Sequence, residues 1–378
     1  MNNLHLSLTE FRNESRVLKE ASSISTLELF DKVFVAALHA DRLLERESFG
    51  EGVEAKRFKL KTRNLSKGLF AQAIKYLEYT FKVTHYYWKE DITMINIHAL
   101  SLLPVGYFLK LLYGAKLIYD THELETETNG AHGARKKIAK LVERLLIKHA
   151  DYVFVVSENI ASWYEREYKI MRPTVILNAP RYYELQQKNV FRESLGIRKE
   201  QVIVLYQGGL NKSRGVDTLL TVFSQRQDDS IVIVFMGNGE MEEQVKQLAS
   251  INNKVFFHPM VPANYVLEYT ISADIGIHMI RNTCLNHDYC MPNKLFEYAM
   301  AGLPVIVSDM KEMREMVEDY QMGLVVDASH EDMINQAIDK MVKTDLNKFK
   351  LNARKAAEEN AWEVQEVKML GVYQAMSF

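Results

Sequence analysis

The chain has two cysteines, Cys284 and Cys290, in 378 residues. Two thiols exclude a disulfide framework and fit a reducing cytoplasm. It lacks a dominant charge, because 47 Lys and Arg face 49 Asp and Glu. No global field draws it to nucleic acid, and attraction to a membrane has to be local. It lacks a long apolar run. The longest, residues 99–113, is broken by Pro104 and Lys110 and falls short of the roughly 20 apolar residues a span needs. The opening residues MNNLHLSLTEFRNESR have neither a basic nor an apolar leader region, so no secretory signal is expected. An Asp-x-Asp pair, one way to hold a divalent metal at a sugar-transfer site, is also absent. These absences predict a soluble cytoplasmic protein that needs no metal and no cofactor.

What is present is a double series of short apolar runs. In the first half they fall at 4–8, 32–38, 94–97, 116–119, 152–156 and 174–177, with helical patterns between them. One helix, 135–149, places Ile138, Leu141, Val142 and Leu145 at i, i+3, i+4 and i+7. A polar stretch from Glu184 to Lys188, including Gln187, reads as a linker. The series then restarts at 202–206, 231–236, 255–258, 275–278, 304–307 and 324–326. Short runs of this kind suit strands buried on both faces of a parallel sheet. The fold expected is α/β, with two Rossmann-like doubly wound parallel-sheet domains facing each other across a cleft. The expected domains are 1–182, 183–345 and a helical tail, 346–378, that crosses back to the first.

The chemistry gathers in the second half. Gln207-Gly208-Gly209-Leu210-Asn211-Lys212-Ser213-Arg214-Gly215 follows one strand, and Gly237-Asn238-Gly239 follows the next. Glycine turns before a helix let backbone approach a ligand, and free helix amides attract anions. Lys294 lies in the first turn of a short helix that starts after Pro292 and stops at Gly302. A cation is unfavourable at that end of a helix unless an anion joins it. A diphosphate clamped between Lys294 and Arg214 answers the problem. Glu297, one turn on, can accept from the two hydroxyls of a ribose. The plain alternative is a surface lysine paired with Glu297 at i+3.

These segments resemble the retaining glycosyltransferases of family 4, which have the GT-B fold. The resemblance rests on Gln207–Leu210 with Arg214–Asp217, Met236–Gly239, Ser272–Gly276 and above all the block Pro292–Ile306. Gly323–Val326 and the Trp362 region fit as well. In the first half, Tyr119–Glu123, Ala150–Asp151 with Val155–Ser157, and Leu177–Pro180 resemble the family's acceptor domain. The resemblance implies transfer of a sugar from a nucleotide-diphosphate sugar, such as a UDP-sugar, to a hydroxyl with the anomeric configuration kept. It implies diphosphate on Arg214, ribose on Glu297, close approach at Gly208 and Gly209, and His122 reaching the transferring sugar. Lys212, Gly237, Asn238, Gly239, Asp288, Tyr289 and Asn293 complete the expected donor site. Two positions depart from the family: Gly209 replaces a usual Arg, and Tyr289 replaces a usual Glu, with Asp288 beside it. No carboxylate nucleophile is evident, so front-face substitution is expected, with cations on the leaving diphosphate.

Cys284, His287 and Cys290 form C-x2-H-x2-C, but a structural zinc needs a fourth ligand and none is evident. His98, at the end of MINIHA, is read as facing the cleft or capping a strand. Two segments are basic. Lys56, Arg57, Lys59, Lys61, Arg63, Lys67, Lys75 and Lys82 accompany Glu78. Arg135, Lys136, Lys137, Lys140, Arg144 and Lys148 accompany Glu143. Either they are solvated faces of helices packed on the sheet, or they dock the chain on anionic lipid at the inner face of a membrane. The second option suits a lipid-linked acceptor in polysaccharide or lipopolysaccharide synthesis. A nucleotide-sugar 2-epimerase and a non-catalytic nucleotide-sugar-binding partner are the competing readings.

Overall fold

The computed structural model describes residues 1–376 apart from Asn13, Lys67 and Gln187. Lys67 of the basic segment, Gln187 of the linker, and Ser377 and Phe378 of the tail lie outside the described residues. The chain forms two units, residues 1–176 with 366–378, and residues 177–365.

The first unit is built on an eight-stranded sheet. Its strands are β1 (Asn2–Leu6), β2 (Lys32–Leu38), β3 (Arg46–Ser48), β4 (Val53–Phe58), β5 (Ile92–Ile97), β6 (Lys116–Asp120), β7 (Tyr152–Val155) and β8 (Thr174–Val175). Their order is β3-β4-β2-β1-β5-β6-β7-β8, and only the β3–β4 pair is antiparallel. Strands β3 and β4 were not expected. VEAKRF carries three charges, so it does not read as a strand buried on both faces, and it lies near the sheet edge. This corrects the first basic segment. Lys56 and Arg57 belong to a strand, and Arg57 is buried, donating to the carbonyls of Glu10, Leu44 and Phe11 at 2.8, 2.9 and 3.0 Å.

Helices Leu69–Tyr87, Leu103–Tyr113 and Gly133–Leu146 connect β4 to β5, β5 to β6 and β6 to β7. All three connections step the same way along the sheet, and right-handed crossovers put their helices on one face. Helix Gly133–Leu146 turns a different side inward from the one its periodicity suggests. Its buried residue is Glu143, which accepts from the phenols of Tyr119, Tyr164 and Tyr168 at 2.9, 2.7 and 2.6 Å. Ile138, Leu141 and Leu145 face outward and are exposed.

The second unit has six parallel strands: β9 (Val202–Gly209), β10 (Ile231–Asn238), β11 (Val255–Pro259), β12 (Ile275–His278), β13 (Val305–Ser308) and β14 (Gly323–Val326). Their order is β11-β10-β9-β12-β13-β14. Strands β9 and β10 run three and two residues further than their apolar runs, so Gly208, Gly209, Gly237 and Asn238 are paired strand ends rather than loops.

The units divide at different places from the expected boundaries. Residues 177–183 stay with the second unit because the backbone amides of Leu177 and Tyr182 donate to Gln365 and Glu363, and that of Trp362 donates to Pro180. Helix Leu346–Asn360 also stays there, packing Ala353, Ala356 and Ala357 against helix Asn293–Met300. Only the end of the last helix, Trp362–Ala375, belongs to the first unit. There Tyr373 is fully buried and takes a hydrogen bond from Asn96, and Ser23 donates to Glu366.

Candidate functional site

Open α/β sheets hold ligands beyond the carboxyl ends of their strands, where the strand order reverses. In the second unit that point lies between β9 and β12. Tyr298, from helix Asn293–Met300, binds the two strands together. Its phenol donates to the Leu205 carbonyl at 3.0 Å, lies 3.3 Å from the Ile277 carbonyl and accepts from the Gln207 amide at 3.1 Å. Gly276 makes room for the ring, because a Cβ there would lie 2.5 Å from it. The helix is thereby fixed with its first turn against the ends of β9 and β12.

That first turn carries Lys294, which is only 7% exposed. Its Nζ lies 4.3 Å from the centre of the Tyr206 ring, and no hydrogen-bond acceptor meets it. The tip also lies against Gly208, where a Cβ would stand 3.3 Å from Nζ and where φ is +109°. Burial, and then the nearby Arg214 guanidinium, push the lysine down to about 7. Glu297 does not pair with it. That carboxylate instead accepts from Gln207 Nε2 at 2.5 Å, while Gln207 Oε1 accepts from Thr270 at 2.8 Å. The i+3 ion pair is therefore not what holds the lysine.

Arg214 is half-buried and makes no side-chain hydrogen bond or ion pair among the described residues. His278 ends β12 and is 1% exposed, with neither ring nitrogen bonded. Burial, and next Lys294 and Arg214, hold His278 well below the usual histidine range, so its ring is neutral. His278 went unnoticed in the sequence, although a histidine closing the apolar run IGIH was a visible signal. A guanidinium, a lysine amine that an anion would charge and a neutral imidazole with unused hydrogen-bonding capacity make a basin suited to a polyanion.

The other expected residues lie around this basin or near it. Gly237 and Asn238 pair with Gly208 and Gly209, and Gly239 follows directly. Lys212 is exposed, and its backbone amide donates to Glu240 at 2.9 Å. Asn293 is exposed at the helix start. Asp288 accepts from the Lys311 amide at 3.3 Å, and the Lys311 ammonium lies 5.8 Å from the centre of the Tyr289 ring. Cys290 is pushed up to about 12 by burial, so it is a thiol. Among the described residues, Cys284, His287 and Cys290 do not converge as a group of metal ligands.

In the first unit the order reverses between β1 and β5. His5 of β1 bonds His98 at 2.9 Å, and His98 lies 3.2 Å from His122 and 3.3 Å from Asp120. His122 Nε2 sits 2.9 Å from Asp120, and 31% of its side chain is exposed. Arg16 donates to both oxygens of Asp120 at 2.8 and 2.6 Å and lies 2.9 Å from Glu20. Burial alone would raise the Asp120 carboxyl, but the Arg16 charge together with His122 and the His98 hydrogen bond outweighs it and holds the group well below the carboxylate range. Burial, then the charge on Asp120, lift Glu20 well above that range.

His5, Glu20 and His98, or His98, Asp120 and His122, are close enough to share a metal ion. Arg16 argues against both, because its guanidinium already lies on each carboxylate and would oppose a second cation. The arrangement suits a hydrogen-bonded chain that ends at His122. The sequence pointed to His98 and His122. His5, Arg16 and Glu20 had no signal beyond the i, i+4 spacing of Arg16 and Glu20, and Asp120 entered only as a member of the Tyr119–Glu123 segment.

Residues 187–362 match the family model described as glycosyl transferases group 1, and residues 28–179 match the glycosyl transferase 4-like domain. The chain is 23% identical over 300 residues to chitobiosyldiphosphodolichol beta-mannosyltransferase of Debaryomyces hansenii, a match covering 71% of the chain. It is 22% identical over 170 residues to an uncharacterized glycosyltransferase of Methanocaldococcus jannaschii, covering 42% of the chain. The chain spans 62% and 40% of the length of these curated relatives. Sucrose-phosphate synthase of Thermosynechococcus elongatus superposes with a TM-score of 0.80 at 16% identity, over 100% of this chain and 99% of that one. Anabaena HepE in complex with UDP-glucose superposes with a TM-score of 0.76 at 15% identity, over the whole of both chains.

Proposed function

Proceeding from a chain whose residues 187–362 belong to the glycosyl transferases group 1 and residues 28–179 to the glycosyl transferase 4-like domains, with the GT-B fold, we propose that it moves a sugar from a nucleotide-diphosphate sugar to a hydroxyl with retention of configuration. The observation that carries this is Lys294, a buried lysine whose amino group has no acceptor and lies near Arg214 at the strand ends. A diphosphate supplies the missing negative charge. Glu297, one turn along the same helix, exchanges its Gln207 contact for the ribose hydroxyls. The HepE complex with UDP-glucose supports a nucleotide sugar as the ligand class.

Charge on the leaving diphosphate is met by Arg214, Lys294 and backbone amides. The departing phosphate oxygen takes the acceptor's proton as the new glycosidic bond forms on the same face. His122, steadied by Asp120, keeps an exposed side with which the first unit can meet a sugar hydroxyl. The acceptor is a glycan or a lipid-linked sugar of cell-surface polysaccharide synthesis. The dolichol-linked substrate in the mannosyltransferase's name supports the lipid-linked class.

The test is incubation with a panel of nucleotide sugars in EDTA, reading nucleotide release and the identity of the sugar. Slow release without acceptor, faster release with it, and no dependence on added magnesium or manganese are expected. Conversion of the sugar without release would identify an epimerase. Tight binding without either change would identify a binding subunit. Activity lost in EDTA and restored by metal would overturn the metal-free reading.

A further inference from the structure

The three crossover helices on one face of the first unit carry apolar side chains on their outer sides. In Leu69–Tyr87, Phe70, Leu77 and Phe81 fall within about 40° of one another on a 3.6-residue helix. Phe81 is 71% exposed, and Trp88, at the helix cap, is 63% exposed. The opposite side buries Tyr79, Val83 and Tyr87. This helix therefore has two apolar faces, and only one belongs to the core. Leu103–Tyr113 adds Phe108 and Leu111, the latter 64% exposed. Gly133–Leu146 adds Ile138, Leu141 and Leu145.

The helices are tied side by side. The Tyr113 phenol donates to the Thr84 carbonyl at 3.3 Å, and the Tyr107 ring lies 4.6 Å from the tilted ring of His149, in the turn Ile147–His149 that follows Gly133–Leu146. The outward stripe of Gly133–Leu146 is also enforced, because its opposite side is held by three phenols on Glu143.

Cations rim this apolar strip. Arg135, Lys137 and Lys148 are exposed and have no carboxylate partner among the described residues. Lys136 and Lys140 do not count, because both are paired with Glu127 at 2.7 and 2.5 Å. A protein partner would need matching apolar and acidic patches, whereas an anionic bilayer presents acyl chains beneath a negative surface everywhere. No helix among the described residues is long and apolar enough to cross a membrane, so contact would lie in the interface.

We propose that this three-helix strip docks the chain on anionic lipid by inserting apolar side chains, with Arg135, Lys137 and Lys148 at the headgroups. Insertion distinguishes it from purely electrostatic docking, which salt would abolish. The docking rests on this surface alone. A lipid-linked acceptor is the part that also rests on the transferase reading.

The experiment is flotation of the full chain with phosphatidylcholine vesicles, with and without phosphatidylglycerol, across a salt series. Binding to the anionic vesicles with a salt-resistant fraction is expected. The variant F81N/L141N/L145N should bind about tenfold more weakly or worse, as loss of buried apolar surface requires. The variant R135E/K137E/K148E should lose the preference for phosphatidylglycerol. In the wild type, dibrominated lipid should quench Trp88, and W88F should remove that quenching. This readout stands if a multiple variant fails to fold. Trp362 is buried and Trp163 lies under Lys140, so neither replaces it.

Binding lost completely in salt and unchanged in F81N/L141N/L145N would overturn insertion. So would a lipid-free dimer that this variant dissociates, with no flotation of the wild type. A nucleoside diphosphate should still raise the Tm of every variant. Flotation without any such Tm shift would sink the transferase reading and leave the docking standing.

Discussion

Lys294 is a lysine folded into a buried place before the anion that would charge it arrives. Burying an ammonium without an acceptor costs more than the ~1–3 kcal/mol of a neutral unpartnered group, and the Tyr206 ring offsets it only in part. Lys294→Met should therefore raise the Tm of the free protein and weaken nucleoside diphosphate binding. The sign with pH follows from a lysine lowered to about 7 against 10.5 when unfolded. Below about 7 the folded protein carries the full cost. Between about 7 and 10.5 the unfolded chain binds more protons, so wild-type stability from this group rises with pH. The advantage of Lys294→Met should be largest near pH 6 and shrink towards pH 10. At pH 8 the lysine is mostly neutral, so binding a diphosphate should draw a proton from solution. Calorimetry in buffers of different ionisation heat measures that uptake, and it should vanish in Lys294→Met. Equal heats in all buffers for the wild type would show that the lysine does not meet the phosphates.

Helix Gly133–Leu146 shows how one polar residue sets the direction of an element. Its apolar stripe would pack inward if burial of Leu and Ile alone decided. Glu143 sits on the opposite side with three phenols donating to it, and leaving those hydroxyls unpartnered would cost about 1–3 kcal/mol each. Glu143→Ala should consequently lower the denaturation midpoint of the first unit. The same change should reduce vesicle binding, because the helix loses what holds its stripe outward. Unchanged stability in Glu143→Ala would mean that the phenols find water and that the orientation has another cause. Helix Asn293–Met300 works the other way round. Its apolar positions pack as expected, and Tyr298 then fixes the helix by one hydroxyl bonded to Leu205 and Gln207 of β9 and lying near the Ile277 carbonyl of β12.

For the whole molecule, the chain's end is part of its first unit. Tyr373 is fully buried and bonded to Asn96, and Glu366 accepts from Ser23. Truncation after Gln365 should unfold or loosen residues 1–176 and spare residues 177–365. Limited proteolysis reads this as cleavage confined to the first half, and an intact first half would show that the last helix is dispensable. Local information in the chain determined two series of parallel strands, the helix starting after Pro292, and Lys294 and Glu297 on one side of its first turns. Strand runs, helix periods and turn residues act over a few positions, so a single sequence carries them. Strands β3 and β4 escaped because charge interrupts their pattern. The network of His5, Arg16, Glu20, His98 and Asp120 came only from the tertiary structure, since β1, the residue after β5, β6 and helix Ser15–Ile24 contribute it from positions as far as 115 residues apart. The outward face of Gly133–Leu146 was likewise undecided by periodicity. A helical wheel shows a stripe but not which side meets the sheet, and that choice was made by phenols brought from β6 and from helix Glu158–Tyr168 to a single buried carboxylate.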